Sequence, residues 1–209
     1  MMFTKLLAIA SATVVLASAG TITLDDFSTD QGPVVFDGAT GPLAIGAGIS
    51  RTLILTDRGG INPNVHQAQV IDGILDMTNG VGDDSTLEVR YDLPSIPLPV
   101  GATNLQLTLR VVQSDGNPTS LTLGGLVGGN FNIPGNTLGQ DLTFAIPGST
   151  LGPGQLTLTI DGAAGWDLAL DSIGLSWNDP APPTGDVPEP ATMALVGLGL
   201  AGVAMLRRR

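Results

Sequence analysis

The chain has 209 residues, no cysteine, a single histidine (His66) and a formal net charge of −11, which excludes thiol nucleophiles, zinc–thiolate centres and two-histidine metal sites. Between Gly20 and Val187 it holds four arginines and no lysine against eighteen of the nineteen acidic residues. Such a surface repels phosphate backbones and anionic lipid, so no nucleic acid is expected as a partner, and with Lys5 the lone lysine there is no P-loop or Schiff-base lysine.

Residues 1–19 read as a secretory signal. Lys5 is the early cation, Leu6 to Leu16 is an apolar run too short to span a bilayer, and Ala17-Ser18-Ala19 is a small-x-small cleavage pattern ahead of Gly20. The mature chain is therefore expected outside the cytoplasm.

Residues 20–177 are long enough for one domain with a hydrophobic core and read as β almost throughout. Leu87, Val89, Tyr91 and Leu93 alternate with polar residues, as do Leu105, Leu107, Leu109 and Val111, and again Leu156, Leu158 and Ile160, a period of two with one face wet. Asp72-Gly73, Asn79-Gly80, Asp115-Gly116 and Asp161-Gly162 are turn signals that supply positive φ. The first of them is expected to join Gln67–Ile71 to Ile74–Thr78 as a hairpin. Gly124 to Gly135 reads as a loop-rich crossing or an irregular edge. In Trp166 to Trp177, Leu168 and Leu170 point one way and Ile173, Leu175 and Trp177 resume one residue out of step, which predicts a bulge at Asp171-Ser172. No stretch gives three turns of amphipathic helix. The fold class expected is all-β, an antiparallel sandwich of the jelly-roll kind.

Beyond this domain, residues 178–187 form a Pro-rich linker favouring extended backbone. Pro188, Glu189 and Pro190 come next, then sixteen uncharged residues from Ala191 to Leu206, then Arg207 to Arg209. As a helix, residues 191–206 rise about 24 Å, slightly short of the roughly 30 Å hydrocarbon core, a gap that snorkelling arginines and local thinning cover. The three arginines favour the cytoplasmic side, and the two prolines keep the triplet out of the helix. Composition alone also allows a plain tail anchor with a proline-rich approach.

This layout, VPEP followed by a small-residue apolar helix and a terminal arginine cluster, resembles the PEP-CTERM sorting signal of Gram-negative bacteria. The resemblance implies that Pro188, Glu189 and Pro190 are recognised by an exosortase, a membrane-embedded transpeptidase that releases the protein from its inner-membrane anchor. It further implies an exported protein of the cell surface or extracellular matrix, in bacteria that make exopolysaccharide and biofilm. A structural or adhesive matrix component is one expectation; a carbohydrate-binding module for exopolysaccharide is another.

The opening strand with Asp25, Asp26 and Phe27 and the closing strand around Asp171 resemble the terminal strands of galactose-binding-like jelly rolls. That resemblance implies that the two strands lie side by side and that Asp25, Asp26 and Asp171 are oxygen ligands of a structural calcium, a cation that needs six to eight such donors. The competing reading is that these aspartates cap strands and turns. Gly80 to Asp84 resembles one turn of a glycine-rich calcium repeat, an architecture that needs a stack of turns. Among the few aromatics, Trp177 fits the core face of the last strand, and Trp166, after a Gly-rich turn, either packs in the core or, if any residue contacts a sugar, is the one placed to stack on it.

Catalysis is not expected. A glycosidase needs two carboxylates about 5 to 9 Å apart, and Glu88, the one glutamate of the body, sits opposite the buried side of its strand beside Arg90. His66 has no Gly-x-Ser-x-Gly partner and reads as an ordinary strand or loop residue. A hydrolase built on carboxylates alone is the remaining alternative.

Overall fold

The computed structural model describes residues 19–60, 66–96, 98–146 and 153–179. The residues of the signal, the linker from residue 180 on, the Pro-Glu-Pro triplet, the 191–206 segment and the arginine tail lie outside the described residues, residue 19 apart.

Within them the chain is all β. The strands are β1 (Ala19–Asp25), β2 (Gln31–Val35), β3 (Gly38–Gly46), β4 (Ile49–Gly59), β5 (Gln67–Ile71), β6 (Ile74–Thr78), β7 (Asp84–Leu93), β8 (Thr103–Ser114), β9 (Thr119–Gly125), β10 (Gly129–Ile133), β11 (Leu138–Ala145), β12 (Gly154–Gly162) and β13 (Leu168–Asn178). They form two antiparallel sheets. One runs β11-β8-β13-β6-β5-β2, with β1 also on β13; the other runs β10-β9-β12-β7-β4-β3. The two sheets face each other as a sandwich over inward residues that alternate along every central strand, among them Leu53, Leu87, Val89, Leu107, Leu109, Leu158 and Leu170. Burying each such side chain is worth about 1.5–3 kcal/mol.

The period-two runs land where their alternation puts them. Leu87, Val89, Tyr91 and Leu93 on β7 and Leu105, Leu107, Leu109 and Val111 on β8 are all buried. Strands β5 and β6 pair from Gln67↔Thr78 to Ile71↔Ile74, and both turn residues take positive φ, Asp72 at 50° and Gly73 at 81°. That is the backbone a two-residue type I′ loop requires, with glycine free of the Cβ penalty at its second position.

The last strand does two jobs on one side. Leu168–Leu170 pairs with β6, and Ile173–Asn178 pairs with β1, while its other side follows β8 throughout. Its ladder with β8 slips between Leu170 and Ser172, the bulge that the out-of-step apolar pattern demands. First and last strands are therefore neighbours. Trp177 is partly buried against the core.

One turn reading differs from the structure, and the Gly124–Gly135 zone takes its edge alternative. Asp161-Gly162 continues β12, pairing with Ser120 and Thr119 of β9, because a ladder on offer outcompetes a local turn. Gly124–Gly135 contains a hairpin: β10 returns on β9 and ends up as the edge of its sheet.

Candidate functional site

Strands β2 and β3 are the edges of the two sheets on one flank. Between them opens a cleft of about 630 Å³ lined by Asp30, Gln31, Pro33, Thr40, Pro42 and Gln69, with Ile71 at its rim. Each edge strand carries a glycine–proline pair with a cis peptide bond, and each ladder breaks there, between Gln31 and Val34 on β2 and between Thr40 and Leu43 on β3. The breaks hold the strands off their neighbours and open the cleft. Gly41 has φ +113°, and a Cβ there would come within 2.6 Å of the Arg51 carbonyl, so only glycine fits.

The floor of the cleft rests on a buried polar network centred on Arg51. In β4 the apolar residues Ile49, Leu53 and Leu55 point inward, and Arg51 shares their phase, so the strand drives a guanidinium into the core. It is fully buried. Its Nη1 donates to Asp25 Oδ2 at 2.7 Å, its Nε to Gln31 Oε1 at 2.7 Å and its Nη2 to the Thr29 carbonyl at 2.5 Å, while the Phe27 ring lies 5.5 Å from its Cζ. Asp25 also accepts from Tyr91 Oη at 2.9 Å and from the Phe27 amide at 2.9 Å. Burial and the Asp25 charge beside it push the Tyr91 phenol well up, which keeps it a donor to that carboxylate. Gln31 Nε2 then reaches the Thr40 carbonyl at 2.8 Å. Arg51 and Asp25 together thus tie β1, β2, β4 and β7 across the two sheets.

The structure corrects the ligand set proposed for calcium. Asp25, Asp26 and Asp171 do not converge: Asp25 points into the core, whereas Asp26 and Asp171 are exposed. Both oxygens of Asp25 are engaged, and the positive charge beside the end of the first strand is the guanidinium of Arg51. Asp26 accepts from the Ser28 amide at 3.0 Å, and hydrogen bonding from the Ser28 side chain and backbone lowers its pKa; it caps a turn. Among the described residues no group of three potential ligands is placed to hold a metal.

Trp166 takes the core-packing alternative. It is fully buried and its Nε1 donates to the Ser85 carbonyl at 3.0 Å, so it offers no face to a sugar. The Ala163–Gly165 turn, closed by the Trp166 amide on the Ala163 carbonyl, folds the indole inward over Gly162, where a Cβ would lie within 2.7 Å of the ring. In Gly80–Asp84 the chain makes a turn, Asp83 amide to Gly80 carbonyl, and burial, then the Asp161 charge, raises the pKa of Asp84. Glu88 and Arg90 form an ion pair on the outer face of β7. His66 is buried, stacked on Phe36 at 6.0 Å, with Nε2 3.8 Å from Asp57 Oδ1 and neither ring nitrogen hydrogen-bonded.

Two smaller hollows lie on the outer face of the seven-stranded sheet. One, of about 250 Å³, is lined by Thr21, Thr23, Thr108, Ser172, Gly174 and Ser176. The other, of about 190 Å³, gathers Asp76, Asp115 and Asp167; burial, then the charges of Asp115 and Asp76, raises the Asp167 pKa against the Asn79 amide that bonds it.

The cleft, Arg51 and Gln31 escaped the sequence reading. The phase of Arg51 with Ile49, Leu53 and Leu55 was the signal for a buried cation, and the paired Gly-Pro steps marked the edges.

Comparison with known proteins gives two kinds of match. Residues 186–209 match the PEP-CTERM protein-sorting motif. No curated protein sequence matches the chain. Among solved structures, a carbohydrate binding module of family 29 is similar at 9% identity and a TM-score of 0.38, over 76% of this chain and 92% of that one. TmCBM61 in complex with β-1,4-galactotriose is similar at 11% identity and a TM-score of 0.33, over 64% and 90%. The Podospora anserina GH26-CBM35 β-(1,4)-mannanase is similar at 16% identity and a TM-score of 0.32, over 83% of this chain and 31% of that one. The chain carries a PEP-CTERM protein-sorting motif at its C-terminal end, on an all-β antiparallel sandwich.

Proposed function

We propose that this is an exported protein, held at the inner membrane by its C-terminal segment until an exosortase acts at Pro188-Glu189-Pro190, and that the sandwich then serves as a structural or adhesive component of the cell surface or its exopolysaccharide matrix. The observation that carries the reading is the sorting motif at residues 186–209, supported by the secretory pattern of residues 1–19. No catalytic step enters it. The test is fractionation of the producing cell. Wild-type protein is expected in the surface or medium fraction, and a variant with Pro188, Glu189 and Pro190 all changed to alanine is expected to stay in the inner membrane. Identical distribution of the two would remove the sorting role.

A second reading, binding of neutral exopolysaccharide, is favoured by the cleft between β2 and β3. Its lining combines the Asp30 carboxylate and the Gln69 amide with the apolar rings of Pro33 and Pro42 and contains no cation, a mixture suited to a polyhydroxylated, uncharged chain rather than an anion. Co-sedimentation with the cell's own purified polysaccharide tests it. Binding lost in Asp30→Ala with Gln69→Ala supports the cleft; binding unchanged in that variant places any affinity elsewhere.

A further inference from the structure

The two flanks of the sandwich are guarded differently. On the β2/β3 flank both edge strands carry a proline and a broken ladder, devices that block pairing with another chain. On the opposite flank the edges are β10, GNFNI, and β11, LGQDLTFA, with no proline and no lysine. Their outer backbone groups have no strand partner among the described residues. Asp141 is the one charged residue of the two strands, and Arg110 of β8 lies 3.2 Å from it. The rest of the body is strongly acidic and self-repelling; this flank is its nearly neutral strip. Along the two edges Phe131 and Phe144, whose rings meet at 4.7 Å, and Leu142 pack against the core, all three partly exposed.

We infer that this flank docks a second copy of the chain, edge to edge, with β11 antiparallel to its own symmetry mate and β10 facing β10, so that both sheets continue across a two-fold axis. Strand parity limits the register. Residues directly opposite in an antiparallel pair point to the same face, so the axis must pass through a residue and not between two. Centred on Thr143, it sets Leu142 against Phe144 of the second copy twice on the inner face. On the outer face it sets Thr143 against itself and Asp141 against Ala145. No like charges are directly opposite, and apolar and threonine pairs of this kind stabilise an antiparallel ladder. The four phenylalanines close over the seam and bury their exposed faces there. An isologous, self-limiting dimer follows, since the other flank is closed by its prolines.

The absence of cysteine from the chain makes the test direct. A single Thr143→Cys substitution in the full-length protein, expressed in the producing cell and treated with a mild oxidant, places a thiol opposite its own copy. A disulfide-linked dimer on a non-reducing gel is expected, while Ala44→Cys, on the exposed side of β3, stays monomeric. Thr143→Lys, which sets two ammonium groups face to face, is expected to convert the purified protein from dimer to monomer in sedimentation. Absence of the cross-link, equal cross-linking at Ala44→Cys, or a wild-type protein that sediments as a monomer overturns the inference; cross-linking at Leu142→Cys in place of Thr143→Cys overturns the register.

Discussion

Replacing Arg51 tests the physical centre of the fold. Its guanidinium is fully buried and makes three charge-assisted hydrogen bonds, of which the one to Asp25 Oδ2 pairs it with a carboxylate only 2% exposed. Arg51→Met keeps most of the volume and removes the charge, leaving the Asp25 side chain in the core with only the Tyr91 hydroxyl and the Phe27 amide as partners. Stranding one partner of a buried pair costs about 3–5 kcal/mol. With a urea slope of roughly 2 kcal/mol/M, the unfolding midpoint should fall by about 1.5–2.5 M. Asp25→Asn should cost a similar amount, because it strands the guanidinium instead. The double variant is the discriminating case. With neither charge present, the asparagine that replaces Asp25 keeps its Oδ1 as acceptor for the Phe27 amide and turns its NH2 to donate to the Tyr91 oxygen where the carboxylate accepted, and the remaining loss is the orphaned Thr29 carbonyl and Gln31 amide oxygen, about 1–2 kcal/mol. Equilibrium urea denaturation of the four proteins, lacking signal and tail, therefore predicts a double variant more stable than either single one. A double variant whose loss equals the sum of the two singles would refute the reasoning, because uncoupled sites add.

Trp166→Ala is expected to cost about 3–5 kcal/mol of stability and Trp166→Phe about 1 kcal/mol beyond lost area, for the hydrogen bond to Ser85; neither should alter polysaccharide co-sedimentation once the fold is intact, and a selective loss of binding would return the indole to a surface role. Asp167 and Asp84 have raised pKa values in the fold, so the folded state binds more protons than the unfolded one, and stability falls as pH rises from the ordinary carboxylate range through their folded values. Asp167→Asn should flatten that slope in thermal melts run across the acidic to neutral range, and an unchanged slope would contradict it. Gly73→Val, at φ +81° in the β5–β6 hairpin, should cost about 1–2 kcal/mol, read by the same denaturation assay, whereas a neutral effect would mean the turn is not held in that conformation.

What could be read from the chain in advance follows from the range of the forces involved. The β5–β6 hairpin was legible to the residue because a two-residue turn demands positive φ, and Asp72-Gly73 supplies it locally. The bulge on β13 was legible because a period of two allows only one way to absorb the slip at Asp171. Strands β2 and β3 were hidden: Gly32, Pro33, Gly41 and Pro42 suppress local β signals, and only neighbours far along the chain hold these edges in place. Arg51 announced a buried cation by its phase, but its partner Asp25 lies on a strand whose arrival beside β4 is set by the topology. That same carboxylate invited a calcium reading, since sequence shows a candidate ligand and not the guanidinium that occupies it. Trp166 stayed open between core and surface because a Gly-rich turn suggests exposure, while here the glycines make room for the ring to fold inward.

The most direct test of the central claim is the intact mass of the protein recovered from the surface of the producing cell. Processing at the sorting motif predicts a mature species that begins at Gly20 and lacks the apolar segment and the three arginines that follow Pro190. A surface protein that retains Arg207 to Arg209 would contradict sorting through that motif.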